Sequence, residues 1–285
     1  MAGTISTPGR LFGEVSLHLE DTGDHGRPVV LLHGWPLSSA SWVRQVPILR
    51  RAGYRVIAYD RRGSGRSSKP ATGYGYDTLA DDLAAVLEEL DLREVSLVGF
   101  SMGGGEVVRY IRRHGEDRLR SIVLASAVTP MMLRTPGNPD GPLPPAQAAG
   151  MAKDLALDPP GFYDSFLREV FSTADGLQVT EQQLADALAM CHQATRPAAL
   201  ATMDAFGRTD FRKDLEQITV PTLILHGDSD RTVPCDGSAK RTYDAVAHSE
   251  MHVIRGGPHG IPLSHPAAFN GALLDFLARY PGSCR

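Results

Sequence analysis

The stretch from Glu94 to Glu106, E-V-S-L-V-G-F-S-M-G-G-G-E, decides how the rest of the chain is read. Val95, Leu97 and Val98 form a short apolar run that stops at Gly99. A run of this kind, bounded by a turn residue, is the pattern of a parallel strand buried on both faces. Gly99-Phe100-Ser101-Met102-Gly103 then fits G-x-S-x-G, in which a serine stands on a tight strand-to-helix turn. A nucleophile at such a turn sits in strained backbone geometry, so the residues two before and two after it must be small. The following helix aims its first N–H groups at the serine, where an oxyanion would form. A bare five-letter match arises by chance, and the plain alternative is an ordinary glycine-rich turn. What gives the match weight is the strand before it and the helical spacing of Val107, Val108, Tyr110 and Ile111 after it.

Outward from that turn, strands and helices alternate. Glu14 to Glu20 alternates in polarity and predicts an antiparallel edge strand. Pro28 to Gly34, P-V-V-L-L-H-G, predicts a buried strand, followed by a loop from Trp35 to Ser39 and a helix from Trp42 to Arg51. Tyr54 to Asp60 is the next strand, ending in R-R-G-S-G-R-S-S. Gly63 and Gly65 look like the start of a dinucleotide fingerprint, but the third glycine is missing and no acidic residue ends a following strand. No G-K-[S/T] follows any glycine cluster, which excludes a P-loop. Asp77 to Leu90 has helical spacing, with Asp77 as the expected N-cap. Leu119 to Ala127 is a further strand. The alternation predicts a mostly parallel sheet with helices on both faces.

The pattern breaks at Pro130 to Pro145, which holds six prolines. From there to about Ile218 the chain reads as helices without strands: 146–157, 162–172, 180–193 and 198–207. An all-helical insert before the returning strands reads as a cap over the carboxyl edge of the sheet, giving a core of 1–129 with 219–285 and a cap of 130–218. Pro221 to Asp230 and His252 to Gly257 supply the last strands, and Pro266 to Tyr280 the closing helix.

Composition narrows the function. The 285 residues carry a net charge of -4 and no basic run longer than two, so nucleic acid and anionic membrane surfaces are not expected partners. No apolar run approaches the roughly eighteen residues of a membrane span, and Met1 to Arg10 has no apolar signal region. The three cysteines, Cys191, Cys235 and Cys284, are scattered, which suits a reducing compartment and a cytoplasmic protein. No metal or organic cofactor is expected. His248 and His252 straddle a strand start and would not share a helical face for a metal, His33 reads as a brace for the loop after it, and His226 reads as core.

A serine at such a turn needs a base, and the base needs an orienting acid, in the order Ser, Asp, His at successive strand ends. The strand T-L-I-L-H-G ends in D-S-D-R, and the last one ends in G-G-P-H-G. His259 is the candidate base, with Asp230 and Asp228 as competing acids. The chain resembles the cofactor-free haloperoxidase and arylesterase group of the α/β-hydrolase superfamily. The matching stretches are V-V-L-L-H-G-W-P-L-S, Y-R-V-I-A-Y-D-R-R-G-S-G-R-S-S, L-V-G-F-S-M-G-G-G-E-V, N-P-D-G, L-I-L-H-G-D-S-D-R-T-V-P and G-G-P-H-G.

The resemblance implies an α/β-hydrolase fold with a mostly parallel eight-stranded sheet and a helical cap inserted after the sixth strand. It implies an esterase with Ser101, Asp230 and His259 as triad, the acid being the one directly before R-T-x-P. It also implies an oxyanion hole from the Trp35 and Met102 N–H groups. Esters or carboxylic acids and hydrogen peroxide are the implied small-molecule partners, and oligomeric state is left open. Perhydrolase members carry proline where Pro36 stands. Proline biases the residue before it towards an extended conformation, which constrains where the Trp35 carbonyl points, and peroxide at an acyl-serine has a second hydrogen to donate there. Haloalkane dehalogenases and epoxide hydrolases need Asp where Ser101 stands. Lactone or amide hydrolysis by the same triad, or a receptor on this fold, are the alternatives. Trp35, Pro36, Met131, Phe162, Phe166, Phe206 and Ile261 are the expected pocket residues, with Met132, Phe171 and Met203 as further candidates from the cap.

Overall fold

The computed structural model describes residues 2–7, 15–23 and 25–280. Glu14, Cys284 and, in the segment read for a signal region, residues 1 and 8–10 lie outside the described residues. Eight strands form one sheet: β1 (Ala2–Thr7), β2 (Val15–Asp21), β3 (Pro28–Leu32), β4 (Arg55–Tyr59), β5 (Val95–Phe100), β6 (Leu119–Ala125), β9 (Thr222–Gly227) and β10 (Ser249–Ile254). The spatial order is β1-β2-β4-β3-β5-β6-β9-β10. The first two strands pair antiparallel and the other six run parallel.

The helices are α1 (Val46–Arg51), α2 (Tyr76–Glu89), α3 (Met102–His114), α4 (Pro145–Leu157), α5 (Pro159–Val170), α6 (Glu181–Cys191), α7 (Arg196–Arg208), α8 (Arg212–Leu215), α9 (Ala239–Ala245), α10 (Ile261–Ser264) and α11 (Pro266–Arg279). All six positions of β5 are buried, as a strand covered by helices on both faces requires. The chain leaves β3 for β4 on one side and β5 for β6 on the other, so the strand order reverses between β3 and β5. Ligand crevices in open α/β sheets lie at such a point, beyond the carboxyl ends of the strands. Leu32 and Gly99 are paired there, which brings the loop after β3 beside the turn after β5.

Several sequence expectations shift. The first strand, A-G-T-I-S-T, was not anticipated because it lacks an apolar alternation. Gly75, not Asp77, is the N-cap of α2. The helix starts earlier because the Tyr76 ring is buried on it and its hydroxyl donates to the Met102 carbonyl at 3.1 Å. The predicted helix from Trp42 splits into a 3-10 turn at Ser39–Trp42 and α1. The insertion between β6 and β9 is not strand-free, since β7 (Ser172–Thr173) and β8 (Gly176–Leu177) form a small hairpin between α5 and α6. Glycine at 176, with φ of 101°, makes that turn cheap. Otherwise α4, α5, α6 and α7 pack on one another as one layer.

Candidate active site

Ser101 follows β5 directly and caps α3 with φ 54° and ψ −116°. This conformation is open to glycine and costs another residue about 1–3 kcal/mol. The turn leaves no room for side chains around it. A Cβ on Gly99 would stand 2.5 Å from the Gly103 carbonyl oxygen, and one on Gly103 would stand 2.4 Å from that of Leu32. The Ser101 N–H donates to the Ala125 carbonyl at 2.8 Å, which pins the turn to β6.

The loops after β9 and β10 bring two more groups to this point. His259 Nε2 lies 2.9 Å from Ser101 Oγ, and its Nδ1 lies 2.8 Å from Asp230 Oδ2. All three residues are buried. Phe100 packs on the His259 ring at 5.2 Å between centroids. Asp230 Oδ1 accepts from the Val233 N–H at 2.7 Å. Burial alone would raise the Asp230 carboxyl, but the His259 and His226 rings beside it prevail and hold it below the usual carboxylate range. Asp228 is exposed and does another job: its Oδ1 accepts from the Gly256 N–H at 2.7 Å, strapping the loop that leads to His259.

The loop after β3 lies against the serine. A Cβ on Gly34 would meet the Phe100 ring at 2.8 Å and the Ser101 Cβ at 3.2 Å. Met102 is the first residue of α3, and such an N–H has no acceptor within its own helix. The loop is braced from below. His33 Nε2 accepts from the Arg61 N–H at 3.1 Å, which leaves the ring hydrogen on Nδ1 to donate to the Gly34 carbonyl at 2.8 Å. Arg61 also donates to the His33 carbonyl at 2.8 Å and to Glu106 of α3 at 2.7 Å, and the Tyr59 hydroxyl donates to Glu106 as well. Loop, strand β4 and the serine's helix are thereby tied through one buried ion pair. Burial and the Arg61 charge push His33 down to about 3.

Trp35 reaches in the other direction. Its indole N–H donates to Thr202 Oγ1 at 3.0 Å and the Ala199 carbonyl at 3.1 Å, both on α7. Its ring packs edge-on against Phe162 and Phe166 and tilted against Phe206. Nothing in the local sequence signals that this residue spans the sheet and the inserted helices.

These rings enclose a cavity of about 210 Å³ over Ser101 and His259, lined also by Met132 and Met151. Trp35, Phe162, Phe166 and Phe206 line it as expected of pocket residues; Pro36, Met131 and Ile261 do not. Residues next to each other in an extended segment face opposite sides, and here Met132 points in while Met131 is half-exposed. Ile261 is directed into the core, where a Cβ on Gly257 would strike its Cγ2 at 2.8 Å. Pro36 is buried within its loop. Phe171 lies against Gly260 and Met203 is buried within α7, and neither lines this cavity. A second cavity of about 560 Å³ lies between α6 and the 39–42 turn, and neither Ser101 nor His259 lines it. Among the described residues no group of His, Cys, Asp or Glu is arranged to hold a metal ion, and no helix is long and apolar enough to cross a membrane.

Known proteins share this architecture. The alpha/beta hydrolase fold family matches residues 27–266. A non-heme chloroperoxidase from Kitasatospora aureofaciens is 41% identical over 266 residues, covering 92% of this chain and 96% of that protein. A bifunctional esterase/perhydrolase from Acinetobacter calcoaceticus is 38% identical over 269 residues, covering 92% and 96%. The crystal structure of a bromoperoxidase from Bacillus anthracis superposes with a TM-score of 0.94 at 44% identity, covering 98% of this chain and all of that one. With the family match spanning most of its length and relatives about 40% identical over nearly the whole chain, this chain belongs to the α/β-hydrolase family, within its non-heme haloperoxidase group.

Proposed function

We propose that this protein hydrolyses small carboxylic esters through an acyl-enzyme on Ser101, and passes the acyl group to hydrogen peroxide as well as to water. The observation that carries the reading is the unbroken buried chain from Ser101 through His259 to Asp230. His259 Nε2 takes the serine proton as Oγ attacks the ester carbonyl. Asp230 keeps the hydrogen of the ring on Nδ1 and stabilises the imidazolium. The Trp35 and Met102 N–H groups receive the oxyanion, and one such donor is worth about 10² to 10³ in rate. His259 then gives the proton to the leaving alcohol. In the second half it takes a proton from water or peroxide, which attacks the acyl carbon and leaves as acid or peracid. A peracid released in this way can oxidise halide to hypohalous acid and return the carboxylic acid. The names of the esterase/perhydrolase and chloroperoxidase relatives support the peroxide branch.

The cavity is smaller than the roughly 300–1,000 Å³ of drug-sized sites, which favours short acyl groups. The segment 130–218 serves as its cap and the remainder as the core domain. A small neutral ester and peroxide are the partners this site fits, in a cytoplasmic setting suggested by the sparse cysteines. Hydrolysis of p-nitrophenyl acetate tests the reading. Many turnovers per molecule, lost by about 10⁴ in Ser101→Ala, are expected. A single slow acylation would instead mark a receptor on a hydrolase fold.

A further inference from the structure

His226 lies at the end of β9, fully buried, in register with Val253 of β10. Its Nε2 stands 2.8 Å from the Val233 carbonyl oxygen, which can only accept, so Nε2 carries the ring hydrogen. The same Nε2 stands 3.2 Å from Asp230 Oδ2, the oxygen that also receives His259 Nδ1. The other nitrogen, Nδ1, is buried with no hydrogen-bond partner. A ring kept only to fill the core would not leave one nitrogen unsatisfied at a cost of roughly 1–3 kcal/mol, since an apolar side chain fills the same space. The nitrogen that does bond spans two points of the acid's loop: it donates to the Val233 carbonyl and faces Asp230, whose Oδ1 receives the Val233 N–H.

We infer that His226 is a positioning residue for the proposed triad: its ring N–H fixes the Asp230 carboxylate and shares the charge that His259 feels. The inference rests on the esterase reading above. Asp230 then has two hydrogen-bond donors, the Val233 N–H and the His259 ring N–H, with His226 Nε2 3.2 Å from the oxygen that His259 bonds. The titratable groups around it are His259, His226 and Cys235; of these His259 hydrogen-bonds to it and the His226 ring N–H side stands 3.2 Å away. A donor removed from a carboxylate leaves more negative charge for the remaining one. Without the His226 N–H, Asp230 binds the His259 imidazolium more tightly, so His259 gives up its proton only at higher pH. The acid-side limb of activity therefore moves upward. Loss of packing alone would lower activity and stability and leave the limb where it was.

The test is the pH profile of kcat/KM for p-nitrophenyl acetate in wild type, His226→Leu and His226→Gln, with melting temperatures measured alongside. Glutamine places an N–H the same number of bonds from the backbone as His Nε2. His226→Leu is expected to lose about tenfold or more in kcat, with KM within about twofold, and to move the limb up by about 0.5 pH unit. His226→Gln is expected to keep the wild-type limb and recover most of kcat. An active wild type whose limb is unmoved in folded His226→Leu overturns the inference and spares the esterase reading; an inactive wild type overturns both. Should His226→Leu not fold, a stable His226→Gln that loses more than about tenfold in kcat overturns it on its own.

Discussion

Replacing Asp230 by Asn keeps the shape of the acid and removes its charge. The carboxylate receives the Val233 N–H on one oxygen and the His259 ring N–H on the other, with His226 Nε2 3.2 Å from that second oxygen. An amide has one oxygen and one NH₂, so in either orientation an N–H must face another N–H. With the NH₂ towards the rings, His259 relieves the clash by moving its hydrogen to Nε2, the nitrogen needed to take the Ser101 proton. With the oxygen towards the rings, the tautomer survives, but the NH₂ meets the Val233 N–H and the negative charge that stabilised the imidazolium is gone. The known cost of a wrong tautomer in a serine triad is about 10⁴ in kcat, equivalent to about 5.4 kcal/mol. Asp228→Asn should change little. That side chain is exposed, and an asparagine oxygen still accepts from the Gly256 N–H. A surface change of this kind stays within about 0.5 kcal/mol, or about twofold. The assay is kcat for p-nitrophenyl acetate with variants whose circular dichroism and melting temperature match wild type. Equal losses, or a larger loss in Asp228→Asn, would refute the assignment of the acid.

Three further outcomes are expected. Ser101→Gly and Ser101→Ala should both be inactive, with the glycine variant about 1 kcal/mol more stable in urea because only alanine retains the strain at φ 54°; equal stabilities would show that the turn stores none. His33 is depressed to about 3 in the folded protein against about 6.5 unfolded, so its contribution is complete above pH 6.5 and is lost as pH falls from there towards 3. Wild type should lose about 2 kcal/mol from this group between pH 7 and pH 5, and a folded His33→Gln should show a correspondingly flatter profile; identical slopes would contradict the assignment. Pro36→Leu should lower the ratio of peracetic acid formation to ester hydrolysis by about tenfold, the worth of one hydrogen bond of about 1.4 kcal/mol made only with peroxide. An unchanged ratio would mean that Pro36 merely stiffens its loop.

The residues of the proposed triad were legible because each stands where a predicted strand ends, and strand ends converge on one edge of a parallel sheet. The resemblance singled out Asp230, and the geometry now shows why the two acids differ: one is buried on His259 and the other straps an exposed loop. The pocket was legible only in part. Helical spacing shows that a face is apolar but not whether it meets the core or a cleft, so Phe162, Phe166 and Phe206 were found while Met131 and Ile261 were placed on the wrong side. The long-range ties were invisible. The Trp35 indole bond to α7 spans more than 160 residues of chain, and the Arg61–Glu106 pair joins the loop after β4 to α3, whose nearness depends on the strand order. His226 read as core because it ends a strand; its approach to Asp230 depends on the turn that follows, which periodicity does not describe.

The central claim is a covalent acyl group on Ser101, and it can be weighed directly. Mixing the enzyme with p-nitrophenyl acetate, quenching in acid within the first turnovers and mapping the digest by mass spectrometry should place one acetyl group on the peptide containing Ser101. Added hydrogen peroxide should empty that intermediate faster, with peracetic acid appearing in step. An acetyl group found elsewhere, or none at all while Ser101→Ala still turns over the ester at the wild-type rate, would contradict the account.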